Sequence, residues 1–449
     1  MCPRAVSQIT ALTVKHRKST VNNRLRIFTP GVDNRLFIWV EWVMAKCASP
    51  LGFDQRRHQV AMLDGIRVVS FTHFLQGPSA TQLLADLGAQ VVKVEPSAGA
   101  FERSWSGPDA YLNGESVFFL LGNRNVSSLA VDLKDPEWVD VVLRLLDDAD
   151  VLIESFRPGV MERLGLGWER LRHRNSRLVH CSLSGYGSDG PYKDRPGQDV
   201  LLQSLSGIAA ATGAADGPPT PVGASIVDQH GAVLGAFGIL AALHGRARTG
   251  RGARVESNLL SAALDLQIEP LSYFLNGFTG RRSNSGVSSP YYKAPYGVFA
   301  TADGHLTLSL NALAVLAAVF EDDWFLSVGE DSSYERREDV NERVAKHIGQ
   351  RTTDEWTAVF TEARVWFAPV NTYADIVEDP QVLHNRSVIE IDHPTAGAVK
   401  LLGHPVLYDG QRPGVRDLPP ELGSSNRTVL TELGYETEDI ERLQAKVGK

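Results

Sequence analysis

The sequence has few cysteines, no excess of positive charge and only a short apolar stretch near its start, and each of these features disfavours a class of protein. Three cysteines in 449 residues, without metal-like spacing, argue against a disulfide framework and indicate a reducing, cytoplasmic compartment. A formal net charge of −8 disfavours a nucleic-acid partner. The apolar stretch at residues 36–45 is interrupted by Glu41 and is too short to cross a membrane. We therefore expect a soluble chain, long enough for two domains.

Charge is distributed unevenly, because residues 1–61 hold ten lysines and arginines against three acidic residues. This segment shows no sustained periodicity, and its apolar stretch lies too far from the start for a signal peptide. We expect residues 1–61 to be a basic leader, disordered or dispensable, and the folded protein to begin at Met62.

From Met62 onward, apolar strands alternate with helices. This alternation predicts an α/β fold with a parallel sheet covered on both faces, and ligands bound beyond the carboxyl ends of the strands. The predicted strands cover residues 66–71, 90–95, 128–133, 151–156 and 177–183, and the predicted helices cover 79–87, 136–148 and 169–174.

The pattern changes near residue 280. Residues 296–301 and 305–310 predict one hairpin, residues 387–401 predict another, and helices are predicted near 335–350 and 353–364. Two short helices joined at Gly434 are predicted at the end. We expect a large α/β domain over residues 62–250, completed by 410–449, with linkers and a small α+β domain over 251–409.

Asp228 is placed at the start of a long apolar helix predicted within PVGASIVDQHGAVLGAFGILAALHGR, residues 221–246. Glycines 231, 235 and 238 give this helix a slim face that other groups can approach closely. The free amides and dipole of a helix N-terminus favour an ionised carboxylate, which suits a nucleophile. The alternative is a purely structural role for Asp228 as an N-cap.

No GxGxxG motif follows the first strand, where the turn reads THFLQGPSATQ, so a dinucleotide dehydrogenase is not indicated. Further motifs follow in order: FTHFLQGPSATQLLADLGAQVVKVEP, NRNVSSLAVDLKDP, DVLIESFRPGVMERLGLG, LVHCSLSGYGSDGP, GQDVLLQSLSG, TGRGARVESNLL and APYGVFATADG. With the Asp228 run, they closely resemble the family III CoA-transferases, whose fold also serves the α-methylacyl-CoA racemases. The resemblance covers residues 62–445. It implies a Rossmann-like parallel sheet, a smaller α+β domain and an interlocked homodimer.

The resemblance also implies a chemistry. Asp228 would attack the thioester of an acyl-CoA to give an acyl-aspartyl anhydride and CoA thiolate. CoA would then pass to a second carboxylic acid, through an aspartyl-CoA thioester or a second mixed anhydride. No metal or permanently bound cofactor is implied, since the CoA thioester is the substrate. The implied CoA-binding residues are His73, Gln76, Arg103, Lys134, Phe156, Arg157 and Arg163. The alternative for Lys134 and Arg163 is a solvated charge, and for His73 a turn histidine.

Gln198 and Asp199 decide between transfer and racemisation. A racemase needs two acid–base groups that flank the α-carbon, and its branch of the family has a histidine where this chain has Gln198. Glutamine exchanges no proton near pH 7, so we favour a transferase. Asp199 is expected to line the site or orient a partner, or else to cap a helix over residues 200–206. A non-catalytic acyl-CoA-binding protein is the third alternative, which the Asp228 carboxylate disfavours.

Overall fold

The computed structural model describes residues 61–447, so the expected basic leader, residues 1–61, lies outside the described residues except for Ala61. Between residues 61 and 260 the strands are β1 (Arg67–Phe71), β2 (Gln90–Pro96), β3 (Tyr111–Leu112), β4 (Glu115–Ser116), β5 (Val126–Val131), β6 (Val151–Glu154), β7 (Val179–Ser184) and β8 (Arg254–Asn258). Six of them form one sheet of order β5-β2-β1-β6-β7-β8. All its neighbouring strands run parallel, which confirms the predicted parallel sheet. The sheet extends past residue 250, because β8 is its edge strand.

The helices up to residue 275 are α1 (Gln76–Asp86), α2 (Val117–Leu120), α3 (Pro136–Asp147), α4 (Val160–Arg163), α5 (Trp168–Arg174), α6 (Asp199–Leu205), α7 (Ile208–Ala211), α8 (Ile226–Thr249), α9 (Leu259–Asp265) and α10 (Ile268–Leu275). Helix α1 begins three residues before the predicted start at residue 79. Pro78 allows this, because proline lacks an amide hydrogen that the first turn of a helix would leave unbonded anyway. The earlier start places Gln76 in the first turn of α1.

Helices α1 and α8 cover one face of the sheet. Ala80, Leu84 and Ile239 are buried there against the strands. A Cβ atom at Gly235 would lie 2.8 Å from Leu183 Cδ2, and one at Gly238 would lie 2.7 Å from Val255 Cγ1. The slim face predicted for α8 is therefore confirmed: the absence of side chains lets α8 lie directly on β7 and β8.

The region after residue 280 contains two further sheets. Its strands are β9 (Tyr296–Ala300), β10 (His305–Ser309), β11 (Phe367–Pro369), β12 (Val388–His393) and β13 (Gly397–Leu402). Its helices are α11 (Leu313–Phe320), α12 (Trp324–Val328), α13 (Arg337–Ile348), α14 (Thr353–Glu362), α15 (Tyr373–Glu378) and α16 (Pro380–Asn385). The β9–β10 and β12–β13 pairs confirm both predicted hairpins. Strand β11 adds an antiparallel third strand that was not predicted, because three residues carry no periodicity.

The chain ends with α17 (Asn426–Glu432) and α18 (Thr437–Val447), which pack on the sheet face opposite α1 and α8. Leu430 and Leu443 are buried there with Trp138 of α3. The Asn426 side chain accepts a hydrogen bond from the Ala130 amide at 2.8 Å and donates one to the Ala130 carbonyl at 2.9 Å. The C-terminal helices therefore complete the layer that covers the far face of the large sheet.

Candidate active site

The order of the parallel strands reverses between β1 and β6, and a crevice opens beyond their carboxyl ends at such a point. His73 follows β1, and Ser155 and Phe156 follow β6. Ser155 Oγ accepts a hydrogen bond from the His73 amide at 3.1 Å and lies 3.2 Å from His73 Nδ1. The rings of His73 and Phe156 stack with centroids 5.8 Å apart. Burial lowers the pKa of His73, so its imidazole is neutral at pH 7.

A buried ion pair that sequence reasoning missed holds the turn that carries His73. Lys93 Nζ donates to Glu102 Oε1 and to the Thr72 carbonyl, both at 2.8 Å. Glu102 Oε2 accepts a hydrogen bond from the Phe74 amide at 3.3 Å. Phe74 has φ of 60°, a conformation that non-glycine residues rarely adopt. The pair therefore fixes the backbone of this turn beside the crevice.

Asp228 lies in the first turn of α8, and Asp199 caps that helix from another segment. Asp199 Oδ2 accepts hydrogen bonds from the Val227 amide at 2.7 Å and the Asp228 amide at 3.0 Å. The Gln203 side chain donates to Asp199 Oδ1 and also accepts from the Val222 amide, which holds the loop before α8. The alternative for Asp199, a cap on its own helix, is wrong: α6 begins at Asp199, and Gln198 is its N-cap residue.

The electrostatics of Asp228 correct a second expectation. Burial, and next the Asp199 carboxylate, raise the pKa of Asp228 to about 7. The expectation that the helix terminus holds Asp228 ionised fails because the amides of Val227 and Asp228 donate to Asp199 instead. Near pH 7, Asp228 therefore exchanges between its protonated and ionised forms. The ionised form is a partly desolvated carboxylate, which is a stronger nucleophile than an exposed one.

Gln76 lies on the same side of the sheet, where α1 packs against α8. Its side chain is buried, and its amide nitrogen has no hydrogen-bond partner within residues 61–447. A Cβ atom at Gly231 would lie 2.6 Å from this nitrogen. Gly231 is one helical turn beyond Asp228, so the Gln76 amide reaches the face of α8 that carries Asp228.

The basic candidates separate into two groups. Arg103 is held by protein contacts, since its guanidinium bonds Glu95 through two nitrogens at 2.7 Å each and donates to the Pro420 carbonyl at 3.0 Å. Lys134, Arg157 and Arg163 are exposed, and within the described residues none of them has a carboxylate partner. Lys134 follows β5, two strands from β1 or about 10 Å across the sheet. The CoA-binding roles of all four residues stay predictions.

A cavity of about 360 Å³ lies beside Phe156 and Arg157, and it is lined by polar residues that sequence reasoning missed. Glu154 and His180 are buried in it, 4.0 Å apart. Burial raises the pKa of Glu154 to about 7 and lowers the pKa of His180 to about 4. Because Leu183 faces α8, the even-numbered residues of β7 face the other side of the sheet. Glu154 and His180 therefore lie on the sheet face opposite α8.

Comparisons with known proteins identify the family. The family model described as CoA-transferase family III matches residues 63–426. The chain belongs to CoA-transferase family III. It is 33% identical over 390 residues to the succinyl-CoA:glutarate CoA-transferase of Mus musculus, covering 85% of this chain and 88% of that protein. It is 32% identical over 377 residues to the acetyl-CoA:oxalate CoA-transferase of Acetobacter aceti, covering 81% and 94%.

The fold is also similar to that of solved crystal structures. The crystal structure of Rv3272 from M. tuberculosis has a TM-score of 0.73 and 30% identity, covering 83% of this chain and 100% of that chain. The resemblance inferred from the motifs is therefore confirmed, and the protein is an enzyme of family III. The alternative of a non-catalytic binding protein is wrong, because the matching relatives are CoA-transferases. The roles of the individual site residues stay predictions.

Proposed function

We propose that the enzyme moves CoA from an acyl-CoA to a free carboxylic acid, with Asp228 as the nucleophile. The observation that carries the proposal is the half-buried Asp228 carboxylate in the first turn of α8, where the amides of Val227 and Asp228 are already bonded to Asp199. A carboxylate left without these donors is free to react. It also lies at the carboxyl end of a parallel sheet, where α/β proteins bind ligands.

The proposed reaction conserves charge and atoms in each of its four steps. Ionised Asp228 attacks the thioester carbonyl, a C–O bond forms, and CoA thiolate leaves as the C–S bond breaks. The thiolate then attacks the Asp228 carbonyl of this mixed anhydride, which releases the first acid and leaves an aspartyl-CoA thioester. Attack of the second acid on that thioester gives a second mixed anhydride, and the thiolate finally takes the new acyl group. The thiolate stays bound throughout, so CoA contacts matter in every step.

The proposed CoA contacts follow from the crevice. Phe156 and the neutral His73 form a stacked pair that offers a flat apolar surface, while Arg157, Arg163 and Lys134 offer exposed cations to phosphate groups. Arg103 is a weaker candidate, since its five donors are largely satisfied by Glu95 and Pro420. Gln198 in place of an acid–base group disfavours the racemase alternative.

The acceptor class is proposed from the relatives, which are named for glutarate and oxalate. Both acceptors are dicarboxylic acids, and the donors are succinyl-CoA and acetyl-CoA. We propose a dicarboxylic acid as the acceptor here, with succinyl-CoA as the first donor to examine. A panel of oxalate, succinate, glutarate and the monocarboxylate butyrate tests this: preference for butyrate would contradict it.

We also propose a cytoplasmic homodimer of interlocked chains with a Rossmann-like large domain. The low cysteine content supports the compartment. Counted along the chain, the parallel strands follow the order 3-2-1-4-5-6 of doubly wound nucleotide-binding sheets. Helix α10 buries no residue, and Leu275 and Phe274 of α10 are 73% and 60% exposed, as is Phe237 of α8 at 68%. A second copy covering these apolar side chains would give a light-scattering mass of twice 49.0 kDa.

Replacement of the nucleophile tests the mechanism. Asp228→Asn should lower the rate of CoA transfer at least 1,000-fold, roughly the loss seen when nucleophiles are removed from enzymes. Retention of the fold would be checked by circular dichroism and by binding of free CoA. The control is Asp148→Asn, an exposed residue at the C-terminal end of α3, which should leave transfer unchanged. Turnover of Asp228→Asn within tenfold of the wild-type rate would overturn the assignment.

A further inference from the structure

Gln76 carries a hydrogen-bond donor that the folded chain leaves unused. The residue is 8% exposed, and Nε2 is buried without a partner within residues 61–447. Burying an unbonded amide nitrogen destabilises a fold, so such a group indicates either a missing partner or a function. Its neighbours show where a partner would bind, because α1 packs directly on α8 at this point.

Gly231 makes room for this amide. A Cβ atom at position 231 would come within 2.6 Å of Gln76 Nε2 and 3.3 Å of its Cδ atom. Three residues along a helix is about 4.5 Å of rise and returns to nearly the same face, so Gly231 and Asp228 share one face of α8. The glycine therefore allows the Gln76 amide to lie over the backbone one turn from the nucleophile.

The donors that would otherwise serve the reaction at this helix terminus are occupied. Amides in the first turn of a helix commonly stabilise a developing negative charge. Here the amides of Val227 and Asp228 both donate to Asp199 Oδ2. The Gln229 amide donates to the Ser225 carbonyl at 3.1 Å. A charge that develops on an acyl group at Asp228 therefore needs a donor from outside α8.

We propose that the side-chain amide of Gln76 is that donor and hydrogen-bonds the acyl oxygen while the acyl group is attached to Asp228. The proposal rests on the transfer mechanism described above and assigns a further catalytic residue to it. As Asp228 attacks, the carbonyl π pair moves onto the acyl oxygen, which becomes an oxyanion. Gln76 donates a hydrogen bond to it and transfers no proton. The pair returns to carbon when the C–S bond breaks.

Removal of the side-chain amide tests the donor. Gln76→Met keeps a similar volume but removes the amide, and it should lower kcat about 100-fold, the order of loss for one oxyanion donor. KM for the acyl-CoA should change little, because the bond strengthens only in the transition state. The melting temperature should hold or rise, because an unbonded polar group has been removed. A purely structural role for Gln76 predicts the opposite pair of results, a lower melting temperature with kcat retained.

Gly231 gives an independent test of the same contact. Gly231→Ala should displace the Gln76 amide and lower kcat by a similar factor, although no donor is removed. In the Gln76→Ala background, Gly231→Ala should have no further effect on kcat, since the side chain it displaces is gone. Gly245→Ala is the matched control on α8, where an added Cβ meets nothing within 4 Å, and it should retain wild-type kcat.

The decisive readout is the rate at which the acyl group appears on the peptide containing Asp228. The enzyme is mixed with succinyl-CoA, and the rate is measured by rapid quenching and mass spectrometry. If the adduct forms about 100-fold more slowly in Gln76→Met than in the wild-type enzyme, the result supports the proposal. An adduct that forms equally fast in both overturns the role of Gln76 and leaves the nucleophile intact. Absence of any adduct from the wild-type enzyme overturns the proposed function itself.

Discussion

The two faces of the parallel sheet each carry a carboxyl group whose pKa is raised to about 7, yet only one of these groups is suited to catalysis. On the α8 face, Asp228 has Asp199 beside it and an unbonded amide one turn away. On the opposite face, Glu154 accepts a hydrogen bond from the Phe156 amide at 2.8 Å and lies 4.0 Å from His180 in a polar cavity. A raised pKa therefore does not identify a nucleophile by itself. Position at the crevice and the bonds to neighbouring groups do.

The packing of the two faces explains the difference. Glycines 235 and 238 bring α8 against the strands, so the start of the helix is held at the carboxyl edge of the sheet. On the other face, β7 presents the buried His180, and neither of its ring nitrogens has a hydrogen-bond partner within residues 61–447. One face thus positions a reactive group at the crevice, while the other leaves polar side chains inside the domain.

Among the neighbours of Asp228, the largest effect on activity is expected from Asp199, the residue that distinguishes the Asp228 environment. Asp199→Asn removes a nearby negative charge, so the pKa of Asp228 should fall, and the acidic limb of the pH–rate profile should move to lower pH. Activity requires ionised Asp228, so the wild-type rate should rise with pH through about 7. The weaker cap should lower kcat about tenfold at pH 8. An acidic limb that stays in place or moves to higher pH would show that Asp199 does not act on Asp228.

A smaller effect should be shared by the two carboxyl groups. Each has a folded-state pKa of about 7 against an ordinary value near 4, so protonation stabilises the fold below pH 4 and this stabilisation is lost as pH rises to 7. The free energies of unfolding of Asp228→Asn and of Glu154→Gln should each exceed that of the wild type by about 1–3 kcal/mol between pH 5 and 8. Urea unfolding measures this difference. Transfer should be abolished only in Asp228→Asn. Loss of transfer in both variants would remove the distinction between the faces.

The smallest effect tests the packing. Gly235→Ala places a methyl group 2.8 Å from Leu183 Cδ2, inside the core, and should destabilise the protein by about 1–2 kcal/mol. Gly245→Ala, on the exposed part of the same helix, should be neutral or stabilising by up to about 1 kcal/mol. Equal thermal stability of these two variants would show that α8 does not need its close approach to β7.

The sequence was sufficient for the regular parts of the fold. Alternating apolar strands and helices predicted the parallel sheet, and the turn around Gly304 predicted the β9–β10 hairpin, because both depend on local patterns. The glycine spacing on α8 correctly predicted close packing. Strand β11 was missed because three residues carry too little pattern, and the start of α1 was placed too late because Gly77 and Pro78 resemble a turn.

The candidate site was less predictable, because its properties depend on residues far apart in the chain. Asp199 is 29 residues before Asp228, and its cap on α8 removes the donors that were expected to keep Asp228 ionised. The buried Lys93–Glu102 pair left no sequence pattern, since both residues resemble surface charges. A polar residue within an apolar strand, such as His180 in β7, was the available signal for the cavity.

The most direct test of the account is to trap the covalent intermediate. The enzyme would be mixed with succinyl-CoA, treated with hydroxylamine, digested and analysed by mass spectrometry. We predict a single hydroxamate, on the peptide that carries Asp228. A hydroxamate on the Glu154 peptide instead, or CoA transfer that proceeds with no modified carboxylate, would contradict it.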